Sequence, residues 1–192
     1  MLEFEKKIKL YPSEYFFLTN VLYAEYPSFI QINHYYDTAD MQLNDSGTTY
    51  RVRENQGTYI ATAKYHSPKN KECSVEDSET IEFLPETINY RGKSLRRYGS
   101  LKTERKTITV TDGVAIMLDK NRYLNFTDYE LEIEYRHGCE KVAREALKRI
   151  NTSLYDAGYT HDTVEIFERR VSHSKSKRFF ERYVATVSQK GK

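Results

Sequence analysis

The sequence contains few residues that cross-link or interrupt a chain. It has two cysteines, four prolines, eight glycines and no tryptophan among 192 residues. Cys73 and Cys139 lie far apart, without CxxC spacing or a histidine-rich tract nearby, which disfavours a zinc site or a disulfide framework. No Gly- or Ser-rich linker divides the chain, so we expect a single domain over residues 1–192.

Long apolar runs are also missing. No run approaches the roughly 18 apolar residues that would span a bilayer. The first residues, Met1-Leu2-Glu3-Phe4-Glu5, lack the basic start and apolar stretch of a signal peptide. We therefore expect a cytoplasmic protein with no membrane partner.

Neither sign of charge is in excess, because 30 Lys and Arg face 28 Asp and Glu, for a net charge of +2. A general nucleic-acid binder usually has a strongly basic balance or a separate basic face. We therefore expect no nucleic-acid partner, even for the basic residues near 169–182. What is abundant is charge of both signs, at 30% of residues, beside 14% aromatics, which argue against disorder despite the low mean hydropathy of −0.76.

Apolar and charged residues alternate with a period of two along much of the chain, a pattern typical of β-strands. The alternation predicts an α+β fold in which eight antiparallel strands close into a β-barrel, a tunnel with flanking helices. The predicted strands cover residues 2–10, 29–37, 48–54, 58–66, 73–83, 101–111, 114–120 and 128–136. The predicted helices cover about 13–24, 85–98, 138–155 and 164–187.

The charged faces of these strands carry nearly one sign each. Like charges at i and i+2 repel, so such rows indicate a bound partner or an opposite row across a cavity. Arginine and lysine bind phosphate oxygens, and clustered carboxylates bind Mg²⁺ or Mn²⁺. The pattern therefore suits a triphosphate with a divalent metal. The rows are Glu3, Glu5 and Lys7; Arg51 and Arg53; Thr62 and Lys64; and Glu130, Glu132 and Glu134.

Several short motifs follow one another in an order that resembles a known family. They are Glu3-Phe4-Glu5-Lys6-Lys7 (ExExK), Tyr35-Tyr36-Asp37-Thr38, Tyr50-Arg51-Val52-Arg53, Ala61-Thr62-Ala63-Lys64, Thr103-Glu104-Arg105, Leu118-Asp119-Lys120, Tyr129-Glu130-Leu131-Glu132-Ile133-Glu134 and Ser174-Lys175-Ser176-Lys177-Arg178-Phe179. Together they resemble the CYTH or triphosphate tunnel metalloenzyme family, which includes class IV adenylate cyclase and thiamine triphosphatase. The details are most similar to its small single-domain bacterial branch.

The resemblance implies a tunnel that binds a small-molecule triphosphate and one or two divalent metals, Mg²⁺ or Mn²⁺. It implies metal ligation by Glu3, Glu5, Asp119, Glu130, Glu132 and Glu134. It implies phosphate binding by Lys7, Arg51, Arg53, Lys64, Arg105 and Lys175. Glu5, Lys64 and Arg105 are the implied catalytic residues.

Four points stay open in the sequence. Glu76 competes with Glu72, Glu79 and Glu82 for an inward position, and Lys177 is an alternative to Lys175. Hydrolysis of inorganic triphosphate or a small organic triphosphate ranks first, because it requires no adenine pocket. A cyclase in the class IV manner and a non-catalytic triphosphate- or nucleotide-binding module are the alternatives. Oligomeric state is undetermined, with a homodimer as one option.

The five histidines give no contrary signal. They are scattered, and the sequence places none of them in a recognisable arrangement with a serine or cysteine nucleophile. We expect each to be a surface or structural residue.

Overall fold

The computed structural model describes residues 3–67, 70–159 and 172–190. The strands are β1 (Glu3–Leu10), β2 (Ser28–Asp37), β3 (Thr49–Asn55), β4 (Thr58–Ser67), β5 (Asn70–Ile81), β6 (Thr87–Tyr90), β7 (Lys93–Thr111), β8 (Val114–Tyr123) and β9 (Phe126–Arg136). The helices are α1 (Pro12–Phe17), which continues into a π-helical turn (Leu18–Leu22), α2 (Gln42–Asp45), α3 (Glu140–Asp156) and α4 (Lys175–Lys190).

The strands form one antiparallel sheet that does not close. Its order is β1-β9-β8-β7-β2-β3-β4-β5, with β6 paired to β7 off this path. A barrel requires every strand to have a neighbour on both sides. Within the described residues, β1 pairs only with β9 and β5 only with β4, so the two ends of the path are not joined. The predicted closed eight-stranded β-barrel is therefore wrong.

The strand that the prediction of eight did not include is β6, and it comes from a segment that we expected to be helical. Residues 85–98 instead contain β6 and the start of β7, joined by a two-residue turn between the paired residues Tyr90 and Lys93. The turn residues Arg91 and Gly92 have φ values of 51° and 76°. Two successive positive φ angles match the tight turn that suits the twist of a hairpin, and they end any helix.

The chain divides into two compact units. The first unit comprises the described residues of Met1–Phe29, Glu104–Arg122 and Phe126–Ser174. Its apolar core joins β1, β8 and β9 to α3, the helix predicted over 138–155. The buried helix positions follow the three-to-four-residue spacing of one helix face. The core includes Ile8, Leu10, Ile116, Leu118, Leu131, Ile133, Ala143, Ala146, Ile150 and Leu154.

The second unit comprises the described residues of Ile30–Thr103, Tyr123–Asn125 and Lys175–Lys192. Neighbouring strand residues point to opposite faces. Tyr36 accordingly packs with Val52 and Leu95, while Tyr35 packs with Phe179 and Phe180 of α4. The second unit therefore has an apolar cluster on each face of its strands.

The predicted last helix, over residues 164–187, is described only in part, as α4, because residues 160–171 lie outside the described ranges. In the parts of the chain that are described, no helix is both long enough and apolar enough to cross a bilayer.

Candidate functional site

Three buried carboxylates meet in the first unit, and we call Asp119, Glu130 and Glu132 the carboxylate cluster. One oxygen from each lies within 4.8 Å of the others. Their exposed fractions are 0%, 0% and 4%. Because Leu118 on β8 and Leu131 on β9 point into the core, alternation places the cluster on the opposite face of these strands.

Arg105 on β7 binds two members of the cluster. Its Nε and Nη2 donate to the two oxygens of Asp119 over 2.7 and 2.6 Å, and Nη2 also donates to Glu132 over 2.6 Å. This fork-to-carboxylate geometry gives both energy and a fixed orientation. Burial acts to lower the pKa of Arg105, but the hydrogen bond to Asp119 and the charges of Asp119, Glu132 and Glu134 outweigh it and raise that pKa. The guanidinium is therefore permanently charged.

Lys7 on β1 lies on the other side of β9 from Asp119 and Arg105. The strand register places Lys7 opposite Glu132. Its Nζ lies 3.8 Å from Glu132 and forms an ion pair with Glu5, whose side chain is 41% exposed. Opposite charges therefore lie on neighbouring strands, in a row from Arg105 through Asp119 and Glu132 to Lys7. In this unit Glu132 on β9 has basic partners within the same sheet, Lys7 on the adjacent strand β1 and Arg105 on β7 beyond β8, where we had expected them across a cavity.

Of the remaining predicted metal ligands, Glu5 and Glu134 lie beside this row. Glu134 contributes to the electrostatic field at Arg105 and pairs in register with Glu5. The backbone of Glu3 pairs with Arg136, but the Glu3 side chain lies outside what the structure describes. Of the six predicted ligands, the cluster brings together Asp119, Glu130 and Glu132.

The donor set of the cluster fits a divalent cation. Carboxylate oxygens are the ligands that Mg²⁺ and Mn²⁺ prefer. Each carboxylate oxygen has two lone pairs, so the oxygens that Arg105 contacts keep the capacity to bind a cation. Crowding three carboxylates away from water is unfavourable without positive charge, and Arg105 supplies one such charge.

The second unit gathers predicted phosphate-binding cations on one face of β3 and β4. The Nε of Arg53 donates to Asn33 Oδ1 over 3.1 Å. Lys64 lies 2.9 Å from Glu76, and Nη2 of Arg51 lies 4.0 Å from the same carboxylate. Arg51 and Arg53 therefore lie with Lys64 in this unit, whereas Lys7 and Arg105 belong to the first.

Glu76, one of the four glutamates that the sequence left open, contacts Lys64 and Arg51, whereas the side chain of Glu72 lies outside what the structure describes. Glu76 pairs in register with Lys64 and forms the ion pairs just described. Burial acts to raise its pKa, but the hydrogen bond to Lys64 and the charges of Lys64, Arg51 and Arg53 outweigh it and hold the pKa below its usual value. Glu76 is thus an ionised partner of the cationic face.

The two candidate lysines of α4 differ in burial. Lys175 is 9% exposed, whereas Lys177 is exposed. The charge of Lys175, together with those of Arg51, Arg178 and Arg53, opposes the rise that burial causes in the pKa of Tyr35. The charge of Lys175 therefore acts on Tyr35, as the charges of Arg51 and Arg53 do.

Our sequence reasoning missed two polar residues on this face, Tyr35 and Asn33. They are 1% and 0% exposed. Each has a polar atom for which no hydrogen-bond partner exists among the described residues. Period-two alternation places Asn33 and Tyr35 on one face of β2, which was the available signal, but only the strand register places them beside Arg53 and Arg51.

His34 lies on the other face of β2 and is structural, in line with the expectation for the histidines. Its Nδ1 is 2.7 Å from Ser100 Oγ and its Nε2 is 3.2 Å from Glu54. These bonds tie β2 to β7 and β3. Burial lowers the pKa of His34, and the hydrogen bond to Glu54 only partly offsets this effect.

With this geometry established, comparison with known proteins identifies the family. The CYTH domain matches residues 1–161, so the chain belongs to the CYTH family, as the motifs predicted.

One curated relative is "Putative triphosphatase YjbK" from Bacillus subtilis (strain 168), which is 31% identical over 123 residues. That match covers 54% of this chain and 61% of YjbK, so it spans less than two thirds of the relative.

Solved structures share the fold. A Bacillus halodurans protein described as a candidate adenylate cyclase superposes with a TM-score of 0.66 at 23% identity, covering 93% of this chain and 97% of that one. HpAC1 from Hippeastrum, described with a dominant triphosphatase activity, gives a TM-score of 0.66 at 21% identity and covers 94% and 96% of the two chains. At these identities the likeness concerns the fold alone.

Proposed function

We propose that this chain is a divalent-metal-dependent triphosphatase that acts on inorganic triphosphate or a small organic triphosphate. The observation that carries the proposal is the buried carboxylate cluster, Asp119, Glu130 and Glu132, in a member of the CYTH family. The triphosphatase names of YjbK and HpAC1 support it at the level of reaction class.

The first unit would supply the metal site. Asp119, Glu130 and Glu132 would hold Mg²⁺ or Mn²⁺, and the forked hydrogen bonds of Arg105 would fix the direction of two of these carboxylates. When bound, such a cation supplies positive charge to the phosphate oxygens and so favours attack at phosphorus and departure of the diphosphate. Arg105 was predicted to bind phosphate as a catalytic residue, and its contacts support a role in positioning the cluster.

Glu5 is the proposed general base for the attacking water. Its carboxylate is partly exposed and is held by Lys7. It would accept a proton as the water oxygen bonds to the terminal phosphorus and the bond to the leaving diphosphate breaks. The proton then resides on Glu5 and the electron pair on the diphosphate oxygen.

Arg51, Arg53 and Lys64 are the cations proposed to bind phosphate oxygens. Arg51 and Arg53 present guanidinium groups that match phosphate geometry, and Lys64 adds a compact charge. These groups would neutralise the negative charge that builds on phosphate oxygens during displacement. Lys64 would have to exchange its contact with Glu76 for one with phosphate.

The test is a substrate panel with product identification. The purified chain would be incubated with triphosphate, ATP or thiamine triphosphate in Mg²⁺ or Mn²⁺, and phosphate, pyrophosphate and cyclic AMP would be measured. We expect metal-dependent phosphate release, lost on chelation with EDTA. Cyclic AMP and pyrophosphate from ATP would instead establish the cyclase alternative. Triphosphate binding without turnover of any substrate would establish the binding module.

The remaining expectations stay predictions. They are a cytoplasmic location, the absence of nucleic-acid and membrane partners, one domain over residues 1–192 and the homodimer option.

A further inference from the structure

Neutral polar residues accompany the cations on the face of β2 and β3 in the second unit. The strand register places Tyr35 opposite Arg51 and Asn33 opposite Arg53. Directly opposed residues on one face of an antiparallel pair lie about 5 Å apart at Cβ. The four side chains therefore form one group.

Three polar atoms of this group are buried without a hydrogen-bond partner among the described residues. They are the hydroxyl of Tyr35, Nδ2 of Asn33 and Nε of Arg51. Buried polar atoms in native proteins are nearly always hydrogen-bonded, because leaving one unsatisfied is costly. Three such atoms on one face indicate a ligand that accepts hydrogen bonds from them.

All three atoms carry a hydrogen that they can donate, and two of them, Nδ2 of Asn33 and Nε of Arg51, cannot accept, which defines the chemistry of that ligand. Nε of Arg53 donates to Oδ1 of Asn33 over 3.1 Å, so the Asn33 amide is oriented with its NH₂ group left to donate. Burial raises the pKa of Tyr35 despite the opposing charges of Arg51, Lys175, Arg178 and Arg53, so its hydroxyl keeps its proton. The group therefore suits an anion that offers only acceptors.

We propose that Tyr35 and Asn33 are anion-binding residues that donate hydrogen bonds to phosphate oxygens beside Arg51. Naming the anion as a phosphate chain rests on the proposed function. The group of unsatisfied donor atoms itself rests on the geometry of the second unit.

The neighbouring tyrosine provides a matched comparison. Tyr36 is as buried as Tyr35, at 1% exposure, but it points to the other face and its hydroxyl donates to the carbonyl of Pro85 over 2.5 Å. The fold therefore satisfies the hydroxyl of Tyr36 by itself. The hydroxyl of Tyr35 has no such hydrogen bond among the described residues.

The experiment compares Tyr35→Phe, Asn33→Asp and the control Tyr36→Phe with the wild type. Binding of sodium triphosphate would be measured by calorimetry in EDTA, so that the result does not depend on metal or turnover. Melting temperature without ligand would be measured for each variant.

We expect Tyr35→Phe to weaken triphosphate binding by about 10- to 100-fold, the scale of a hydrogen bond to a charged group. Its melting temperature should be unchanged or higher, because the described part of the chain gives the Tyr35 hydroxyl no hydrogen bond that the variant would lose. Asn33→Asp keeps the acceptor for Arg53 but replaces the donor with a negative oxygen, so its binding should weaken at least as much. Tyr36→Phe should melt lower and bind triphosphate as the wild type does.

Two results would overturn the inference. One is wild-type affinity in both Tyr35→Phe and Asn33→Asp. The other is a failure of the wild type to bind triphosphate at all, which would also remove the proposed function. If the wild type binds triphosphate but hydrolyses nothing, a weaker Tyr35→Phe still supports the inference, while the triphosphatase proposal fails.

Discussion

Arg105 is the residue whose contacts depart most from the role that the motif pattern implied for it. The Thr103-Glu104-Arg105 motif indicated a phosphate ligand, yet the side chain is 15% exposed and bound to the fully buried side chain of Asp119 and to Glu132. Removing one partner of a buried ion pair leaves an uncompensated charge, which costs about 3–5 kcal/mol. Arg105 therefore contributes to stability as well as to the geometry of the carboxylate cluster.

We predict that Arg105→Ala lowers the free energy of unfolding by about 3–5 kcal/mol without metal, with a smaller loss for Arg105→Lys, which keeps the charge but not the fork. Added Mn²⁺ should raise the melting temperature of Arg105→Ala more than that of the wild type, because the cation replaces the missing positive charge. Thermal denaturation with and without Mn²⁺ measures both effects.

Arg136→Ala is the control, since Arg136 forms an exposed ion pair with Asp112 in the same unit. Exposed pairs contribute about 1 kcal/mol or less. A loss in Arg105→Ala no greater than in Arg136→Ala would refute the role assigned to Arg105.

Some residue-level features could be predicted from the sequence and others could not. Alternation placed Glu130 and Glu132 on one face of β9, because a period of two is a local property of a strand, whereas Asp119 was implied only by the family resemblance. Strand order and register decided their partners, so Arg105 and Lys7 as neighbours of Glu132 were beyond local reasoning. Burial separated Lys175 from Lys177, which identical local chemistry could not.

Individual elements follow local sequence where the signal is strong. The helix predicted over 138–155 is α3, because its apolar spacing is regular and its residues favour helix. The segment predicted as a helix over 85–98 instead forms a hairpin with a turn at Arg91 and Gly92. The turn was missed because Arg91 has a positive φ angle, which a non-glycine residue rarely adopts. An arginine in that position gave no turn signal.

The network around His34 joins three strands and makes their association depend on pH. The ordinary pKa of histidine, 6.5, applies to the unfolded chain, and burial lowers the pKa of His34 in the folded protein. Below pH 6.5 the unfolded state therefore binds a proton that the folded state resists. Stability is full above that pH and is lost as the pH falls through the folded pKa.

We predict that wild-type stability declines between pH 7.5 and pH 5.5, and that His34→Gln flattens this decline because it removes the titrating group. The loss amounts to about 1.4 kcal/mol for each unit by which the folded pKa is lowered. Urea denaturation across this pH range measures it. His137→Gln, at an exposed position, should keep the wild-type profile, and a profile for His34→Gln identical to that of the wild type would contradict the prediction.

At the scale of the whole molecule, alternation could identify a charged antiparallel sheet but not its closure. Closure depends on whether the edges of β1 and β5 pair, and the local pattern of a strand is the same in either case. Family membership was predictable because the motifs recur in order along nearly the whole chain. The distribution of the charged residues was not predictable: the first unit holds the carboxylate cluster, and the second unit holds the cations Arg51, Arg53 and Lys64, whose binding of phosphate stays a prediction.

The central claim is that the carboxylate cluster is a functional metal site, and Glu130 tests it most directly. Glu130→Gln keeps the size of this fully buried side chain and removes its charge. Glu145→Gln, on the exposed surface of α3, is the matched control. Mn²⁺ affinity would be measured by electron paramagnetic resonance and triphosphate hydrolysis in saturating Mn²⁺, with melting curves to establish that both variants fold.

We predict that Glu130→Gln weakens Mn²⁺ binding by more than about tenfold and loses most of the hydrolysis, while Glu145→Gln matches the wild type in both measurements. A folded Glu130→Gln variant that binds Mn²⁺ as tightly as the wild type and hydrolyses triphosphate at the same rate would contradict the claim.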